Sequence, residues 1–218
     1  MIFVKKGLIK SGFNVQKKKG FDYKPDMIAG YYEEQGAPFK EGLKRGSTIA
    51  IVGGGISGTA CAYILKQYGY KPVLYESSAT LGSEASGNQC GFYNPRFCAL
   101  WDFAAQFFSP AYAQFITLAK QAGDDIDFNP CGALHLINTP EKEKRFKAML
   151  ENWNWHNDHV KFLNADEASL IAGLEINHRA LYLPDAGSVN VRKLCAYYAR
   201  DIEVHYNSKI TDYTKIPE

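Results

Sequence analysis

The sequence predicts an α/β fold, an incomplete Rossmann-like, doubly wound domain carrying an inserted α+β region. Three observations predict it. The stretch Thr48-Ile49-Ala50-Ile51-Val52-Gly53-Gly54-Gly55-Ile56-Ser57-Gly58 reads as a strand, a glycine turn and a helix start. Val73-Leu74-Tyr75 follows as a second strand and runs into Glu76, 18 residues after Gly58. From there helical and strand-like segments alternate until Ile202–Tyr206, a last strand predicted to return to the first sheet.

Each position of the first motif has a physical reason. Ile49, Ala50, Ile51 and Val52 form an apolar, partly β-branched run, as expected of a parallel strand buried on both faces. Gly53 permits the tight turn, Gly55 lets a pyrophosphate approach the backbone, and Gly58 lets the next helix pack closely on the strand. That helix is predicted over Ile56–Tyr68, with Gly69 as its stop. Its first amides, those around Ile56 and Ser57, are unpaired and carry the positive end of the helix dipole, which suits phosphates. Glu76 stands where an acid accepts hydrogen bonds from a ribose. Strand, turn, helix, second strand and acid in this order bind a dinucleotide. An acid at position 76 argues against a 2′-phosphate and so against NADP, whereas NAD and FAD both fit.

The elements before this motif form a separate unit. Lys5–Lys10 looks like a helix end closed near Gly12. Phe13–Lys17 and Met27–Tyr32 read as strands, joined by a turn-like Lys18–Pro25. Glu33–Gly46 is polar, glycine-rich and interrupted by Pro38, the signature of a linker. The expected organisation is therefore residues 1–32, a linker at 33–46, a dinucleotide-binding part at 47–100, an α+β insertion at 101–190 and a return to the dinucleotide-binding part at 191–218.

After Glu76, Ser77–Pro95 is a long segment rich in small residues and contains Ala85-Ser86-Gly87-Asn88-Gln89-Cys90-Gly91. Its hydroxyl, amide and backbone groups suit a pyrophosphate or a flavin ring. A helix is predicted over Trp101–Ala122, with a break near Pro110. A strand at Gly132–Ile137, a helix at Pro140–Asn157 and a strand at Val160–Leu163 follow. Then come a helix at Ala165–Ala172, strands at Ala180–Leu183 and Gly187–Val189, and a helix at Val191–Arg200.

Composition narrows the function classes. The chain has 218 residues, 46% of them hydrophobic, enough for one or two packed domains, and a net charge of +2. No run of about 18 apolar residues predicts a membrane span, and the charged, glycine-broken N-terminus is unlike a signal peptide. The five cysteines, Cys61, Cys90, Cys98, Cys131 and Cys195, form no C-x-x-C pair and read as reduced thiols of a cytosolic protein. His156 and His159 lack the companions of a zinc site and read as solvated or capping histidines. No nucleophile elbow is present. Residues 1–26 hold seven lysines against Asp22 and Asp26, a net of +5 that suits either a phosphate backbone or a solvated hairpin face.

Taken together, the glycine turn, Glu76 and the segment Ala85-Ser86-Gly87-Asn88 through Gly91 and Pro95 resemble the FAD domain of D-amino-acid-oxidase-like amine oxidases. Within them the Ala-Ser-Gly-Asn segment is similar to the oxidoreductase half of the bifunctional tRNA 5-methylaminomethyl-2-thiouridine biosynthesis family. Cys131-Gly132-Ala133-Leu134-His135-Leu136, Leu183-Pro184-Asp185-Ala186-Gly187 and Leu194-Cys195 fall where that family has matching segments. Lys6 through Phe21, with Lys24 and Met27, looks like the tail of its methyltransferase domain. Pro25-Asp26 and Asn94-Pro95-Arg96 depart from its usual pattern and leave substrate contacts open.

The resemblance implies FAD as cofactor, held by Gly53, Gly55, Ile56, Ser57, Gly58, Glu76, Ser77, Ala85, Ser86, Gly87, Asn88 and Gly91. It implies oxidative removal of the carboxymethyl group of 5-carboxymethylaminomethyl-2-thiouridine in tRNA, with no obligatory acid–base residue. In the family this step is paired with S-adenosylmethionine-dependent methylation. It also implies a cytoplasmic location, tRNA as partner, no membrane, and complementing polypeptides carrying the absent methyltransferase core and the rest of the FAD domain. A glycine- or D-amino-acid-oxidase-like amine oxidase and a noncatalytic tRNA-binding remnant are the alternatives.

Overall fold

The computed structural model describes residues 2–10, 12–19, 26–32, 43–97 and 99–214. In chain order the elements are α1 (Ile2–Lys10), β1 (Phe13–Lys19), β2 (Asp26–Tyr32), β3 (Thr48–Val52), α2 (Ile56–Gln67), β4 (Lys71–Tyr75) and β5 (Gly91–Tyr93). They continue with α3 (Phe103–Ala122), a 3-10 turn (Gly123–Ile126), β6 (Ala133–Ile137), α4 (Pro140–Trp153) and β7 (Lys161–Leu163). The chain closes with α5 (Ala165–Ala172), β8 (Arg179–Leu183), β9 (Gly187–Val189), α6 (Val191–Ala199) and β10 (Glu203–His205).

The N-terminal hairpin pairs antiparallel, Phe13 opposite Tyr32 and Lys19 opposite Asp26. Strand β1 runs two residues past the predicted Lys17, because cross-strand pairing carries Lys18 and Lys19 into the ladder. Residues 20–25 of the predicted turn and 33–42 of the predicted linker lie outside the described residues.

Strands β3, β4 and β10 form a parallel sheet in the order β10-β4-β3. The return of the last strand, expected from the sequence, is thus observed beside β4. The central strand buries Leu74 completely, and Leu74 packs with Ala62 of α2, Ala199 of α6, Ile51 and Val204. One expectation fails. β3 is not buried on both faces: Thr48, Ala50 and Val52 alternate as exposed, and Val52 is 65% exposed. Among the described residues β3 is an edge strand; its alternate positions Ile49 and Ile51 are half-buried, and Ile51 packs against the cluster of Ala62, Leu74 and Ala199.

The inserted region packs α3 and α4 against the antiparallel sheet β6-β8-β7. Its core joins Ala104 and Ala105 of α3, Phe146, Met149 and Trp153 of α4, Val160, and Leu181 and Leu183 of β8. Helix α5 matches its predicted bounds, because both ends are encoded locally. Asn164 and Glu167 form a reciprocal capping box, and Gly173 ends the helix at φ +69°.

Three elements differ from expectation. The segment Ser77–Pro95 is not all loop: Gly91–Tyr93 forms β5, which pairs antiparallel with β9, Tyr93 opposite Gly187. Helix α3 passes Pro110 unbroken, started by Asp102, whose carboxylate accepts from the Ala105 amide. Helix α4 stops at Trp153 rather than Asn157, because Asn154 adopts a left-handed φ of 50°. Cys61, Cys90, Cys131 and the buried Cys195 are unpaired thiols, and Cys98 lies outside the described residues. Among the described residues no helix is long and apolar enough to cross a membrane.

Leu181 is 0% exposed in the central strand of the inserted sheet. Leu181→Ala should cost about 2–5 kcal/mol of unfolding free energy, read as a lowered midpoint in urea denaturation at an unchanged slope.

Candidate cofactor site

Strand β3 delivers its chain into Gly53, whose φ of +103° is open to glycine but strained for other residues, and whose amide donates to the Tyr75 carbonyl at 2.9 Å. The next amide, Gly54 N–H, donates to Glu76 Oε2 at 2.6 Å. The other carboxylate oxygen, Oε1, accepts from the Ser78 amide at 2.7 Å and the Ser77 hydroxyl at 3.1 Å. Glu76 is 6% exposed, so this carboxylate is a buried joint between the end of β4 and the turn after β3. Burial pushes the Glu76 carboxyl up, but the hydrogen bonds from Ser78, Gly54 and Ser77 outweigh it and hold it below the ordinary carboxylate value.

The ribose role expected of Glu76 is therefore narrower than the sequence suggests. The Gly54 and Ser78 amides and the Ser77 and Ser78 hydroxyls all donate to the carboxylate. Each oxygen offers two lone pairs, so most of its accepting capacity is spent inside the chain.

Helix α2 begins at the N-cap Gly55, which supplies no side-chain cap. The Ile56 amide donates to Ser86 Oγ at 3.0 Å, while the Ser57 and Gly58 amides have no acceptor among the described residues. The Thr59 amide returns to the Gly55 carbonyl and starts the helical ladder. Two unpaired amides at the positive end of a helix are an anion seat.

The glycines divide by what a side chain would meet. A Cβ on Gly58 would lie 1.9 Å from the Gly53 carbonyl oxygen, so the close helix–strand packing read from the sequence is observed. A Cβ on Gly55 would lie 3.1 Å from Ser86 Oγ, an adjustable neighbour. A Cβ on Gly54 would lie 2.5 Å from Leu81 Cδ2 and 2.9 Å from Glu76 Oε2. Gly54 is the site residue that sequence reasoning missed. Its signal was the middle position of three successive glycines, but the groups that crowd it approach only in the fold.

The loop after β4 folds back over the turn. Gly82 N–H donates to the Gly54 carbonyl at 3.0 Å, and Gly87 N–H to the Glu84 carbonyl at 2.8 Å. This tight coil presents Ser86 to α2 and encloses Ser83 Oγ, which is buried without a partner. Ala85 and Gly87 flank Ser86 in that coil, and Asn88 follows it, exposed. Gly91 stands apart from this group. It starts β5 opposite Val189, and a Cβ there would lie 2.4 Å from Val191 Cγ2, so its missing side chain serves packing against the start of α6.

His156 and His159 are exposed, each beside an aspartate: Asp158 at 3.2 Å and Asp185 at 2.6 Å. Among the described residues no cluster of three or more metal-ligating side chains occurs.

The donor set fits a dinucleotide diphosphate: unpaired helix-end amides, a glycine turn that keeps side chains out of their way, and a partnerless buried hydroxyl in the coil that covers the turn. Residues 48–216 match the family DAO, FAD dependent oxidoreductase. The chain belongs to this family. Its cofactor is therefore FAD, which decides between the two dinucleotides that the glycine turn alone allowed, and its reaction class is oxidoreduction.

The chain is 30% identical over 228 residues to the tRNA 5-methylaminomethyl-2-thiouridine biosynthesis bifunctional protein MnmC of Magnetococcus marinus, covering 99% of this chain and 34% of that protein. The protein of the same name from Vibrio vulnificus is 33% identical over 195 residues, covering 85% of this chain and 29% of that protein. The chain thus spans about a third of the length of these relatives. Among solved structures it is similar in fold to glycine oxidase from Bacillus cereus, with a TM-score of 0.58 at 20% identity, covering 79% of this chain and 49% of that one. L-proline dehydrogenase from P. horikoshii gives a TM-score of 0.59 at 22% identity, with 79% and 47% covered.

Gly58→Ala should abolish FAD retention, read as loss of flavin absorbance after desalting, because its Cβ meets a backbone carbonyl that cannot yield. Glu76→Ala should cost about 1–3 kcal/mol of stability by leaving the Gly54 amide buried without an acceptor. The lowered carboxyl also sets a pH signature. Its stabilisation is present above the ordinary carboxylate value and disappears as pH falls through the folded-state value. A melting-temperature series on the acid side should therefore fall more steeply for the native chain than for Glu76→Gln.

Proposed function

We propose that this chain is the FAD-dependent oxidoreductase part of a tRNA wobble-uridine modification enzyme. In this reading it oxidatively removes the carboxymethyl group of 5-carboxymethylaminomethyl-2-thiouridine. The observation that carries the reading is the extent of the similarity. The FAD family match begins at residue 48, yet the Magnetococcus marinus relative aligns over 99% of the chain, so the likeness takes in the N-terminal hairpin that the oxidoreductase family does not account for.

FAD, when bound, supplies a two-electron acceptor for the carbon beside the substrate amine nitrogen. The rest of the work falls to the chain. The Ser57 and Gly58 amides hold the diphosphate, Gly53 and Gly55 keep the turn low enough for it to approach, and Glu76 anchors the ribose. Ser77 steadies that carboxylate, and the coil around Ala85, Ser86, Gly87 and Asn88 covers the diphosphate. Oxidation leaves an imine on the substrate, which water hydrolyses to release the two-carbon fragment. Positioning the nucleoside and excluding competing reactions account for this chemistry without an acid–base residue.

In this reading complementing polypeptide carries an S-adenosylmethionine-dependent methylation that follows the oxidation. The lysines of β1 face the tRNA phosphates, and the enzyme works in the cytoplasm with its substrate.

The decisive assay supplies the chain with FAD and tRNA bearing 5-carboxymethylaminomethyl-2-thiouridine, followed by nucleoside mass spectrometry. Appearance of 5-aminomethyl-2-thiouridine is expected. Unchanged tRNA together with consumption of free glycine would instead make the chain a small-molecule amine oxidase.

A further inference from the structure

A second site lies apart from the glycine turn. A cavity of about 410 Å³ opens between α3, the segment after α4 and the β8–β9 connection, and no residue of the glycine turn or of the coil after β4 lines it. Its size is within the range of small-ligand sites. One wall is aromatic. The rings of Tyr112 and Trp155 lie nearly parallel, 10° apart with centroids 6.1 Å apart.

The polar groups around that wall are of two kinds. Asp185 supplies a carboxylate acceptor, steadied by His159, whose Nδ1 stands 2.6 Å from Oδ2. With a carboxylate as partner, this nitrogen carries the proton. The Tyr112 hydroxyl is buried and has no partner among the described residues. Burial, and then the charge of Asp185, push that phenol above its ordinary value, so it remains a proton donor. A buried donor left unpaired is costly, and an incoming acceptor would satisfy it. At the rim stand the exposed Lys120 and, beside Asp158 at 3.2 Å, the exposed His156.

An aromatic shelf of two stacked rings, one acceptor and one donor beside it, and a lysine at the mouth match a single nucleotide. The shelf takes a base face, the acceptor and donor read complementary groups on the base edge, and the rim takes the phosphate. An apolar peptide would leave Asp185 and the Tyr112 hydroxyl unmatched.

We propose that this cavity receives one unstacked nucleotide of an RNA strand, its base against the Trp155–Tyr112 stack and its phosphate at Lys120. This inference rests on the tRNA reading above and deepens it, by naming where a strand beyond the reacting nucleoside is held.

The test is fluorescence anisotropy of a labelled anticodon stem–loop RNA titrated with the full chain loaded with FAD, at several salt concentrations. The parent is expected to bind, with free nucleoside monophosphates competing only weakly and a duplex RNA of similar length competing poorly. The variant Lys120→Ala changes one exposed side chain. It should weaken binding and reduce the slope of log affinity against log salt by about 1, for the one phosphate deprived of its cation. Asp185→Asn and Tyr112→Phe keep shape and packing, and each should weaken stem–loop binding by about five- to a hundredfold. If the RNA binds but all these variants match the parent, the cavity is not its seat and the tRNA reading stands without it. If the parent binds no stem–loop RNA, or binds duplex equally well, the proposal fails, and absence of any RNA binding removes the tRNA reading as well.

Discussion

One buried carboxylate organises the cofactor end of this molecule. Glu76 closes β4 and at the same time accepts from Gly54 in the turn after β3, so two parallel strands and the start of α2 are tied at a single point. The interaction is short and shielded from water, and donors from Gly54, Ser77 and Ser78 share the charge. Such a bond to an ionised group is stronger than a neutral one, and its loss would strand a buried amide. Everything the site offers a diphosphate is referenced to that point. The positive-φ turn at Gly53, the unpaired amides of α2 and the coil that carries Ser86 all converge on it.

The rest of the fold holds this joint from a distance. Strand β5 leaves the coil after β4 and pairs with β9 at the far end of the inserted region, beside an approach so close that Gly187 has no room for a side chain against the Asn129 carbonyl. Tyr93, Val189 and Leu194 then share one apolar cluster with Ala119 and Ile126, which joins α3 to α6. Helix α6 in turn feeds β10 back to the flank of β4, where the Glu76 amide donates to the His205 carbonyl. The long inserted region is thereby clamped to the sheet at both of its ends.

Legibility followed the range of the forces involved. Helix α5 was readable to the residue, since its capping box and terminal glycine lie within the element. The glycine turn was readable for the same reason: Gly53 and Gly58 act on backbone within five positions of themselves. Strand β5 was invisible, because three residues, Gly91–Tyr93, have no periodicity to detect and become a strand only through β9. The packing of Gly91 against Val191 was invisible with it. Gly54 escaped notice because Leu81 and Glu76, the side chains that forbid it a Cβ, come from a different strand and loop. The exposure of β3 was misjudged because apolar content reports what a strand tolerates, while sheet order decides what covers it.

By itself, then, the sequence determined that a strand, a glycine turn, a helix and an acid would come together as a dinucleotide site, since spacing along one chain is enough to specify a β-α-β unit. Only the tertiary structure decided how that acid is used, because the Gly54 amide that it binds reaches it from the turn after the neighbouring strand, 22 residues away. Only it decided, too, that Tyr112, Trp155 and Asp185 would share a cavity, since residues on three separate elements become neighbours through packing and through nothing written in their local order.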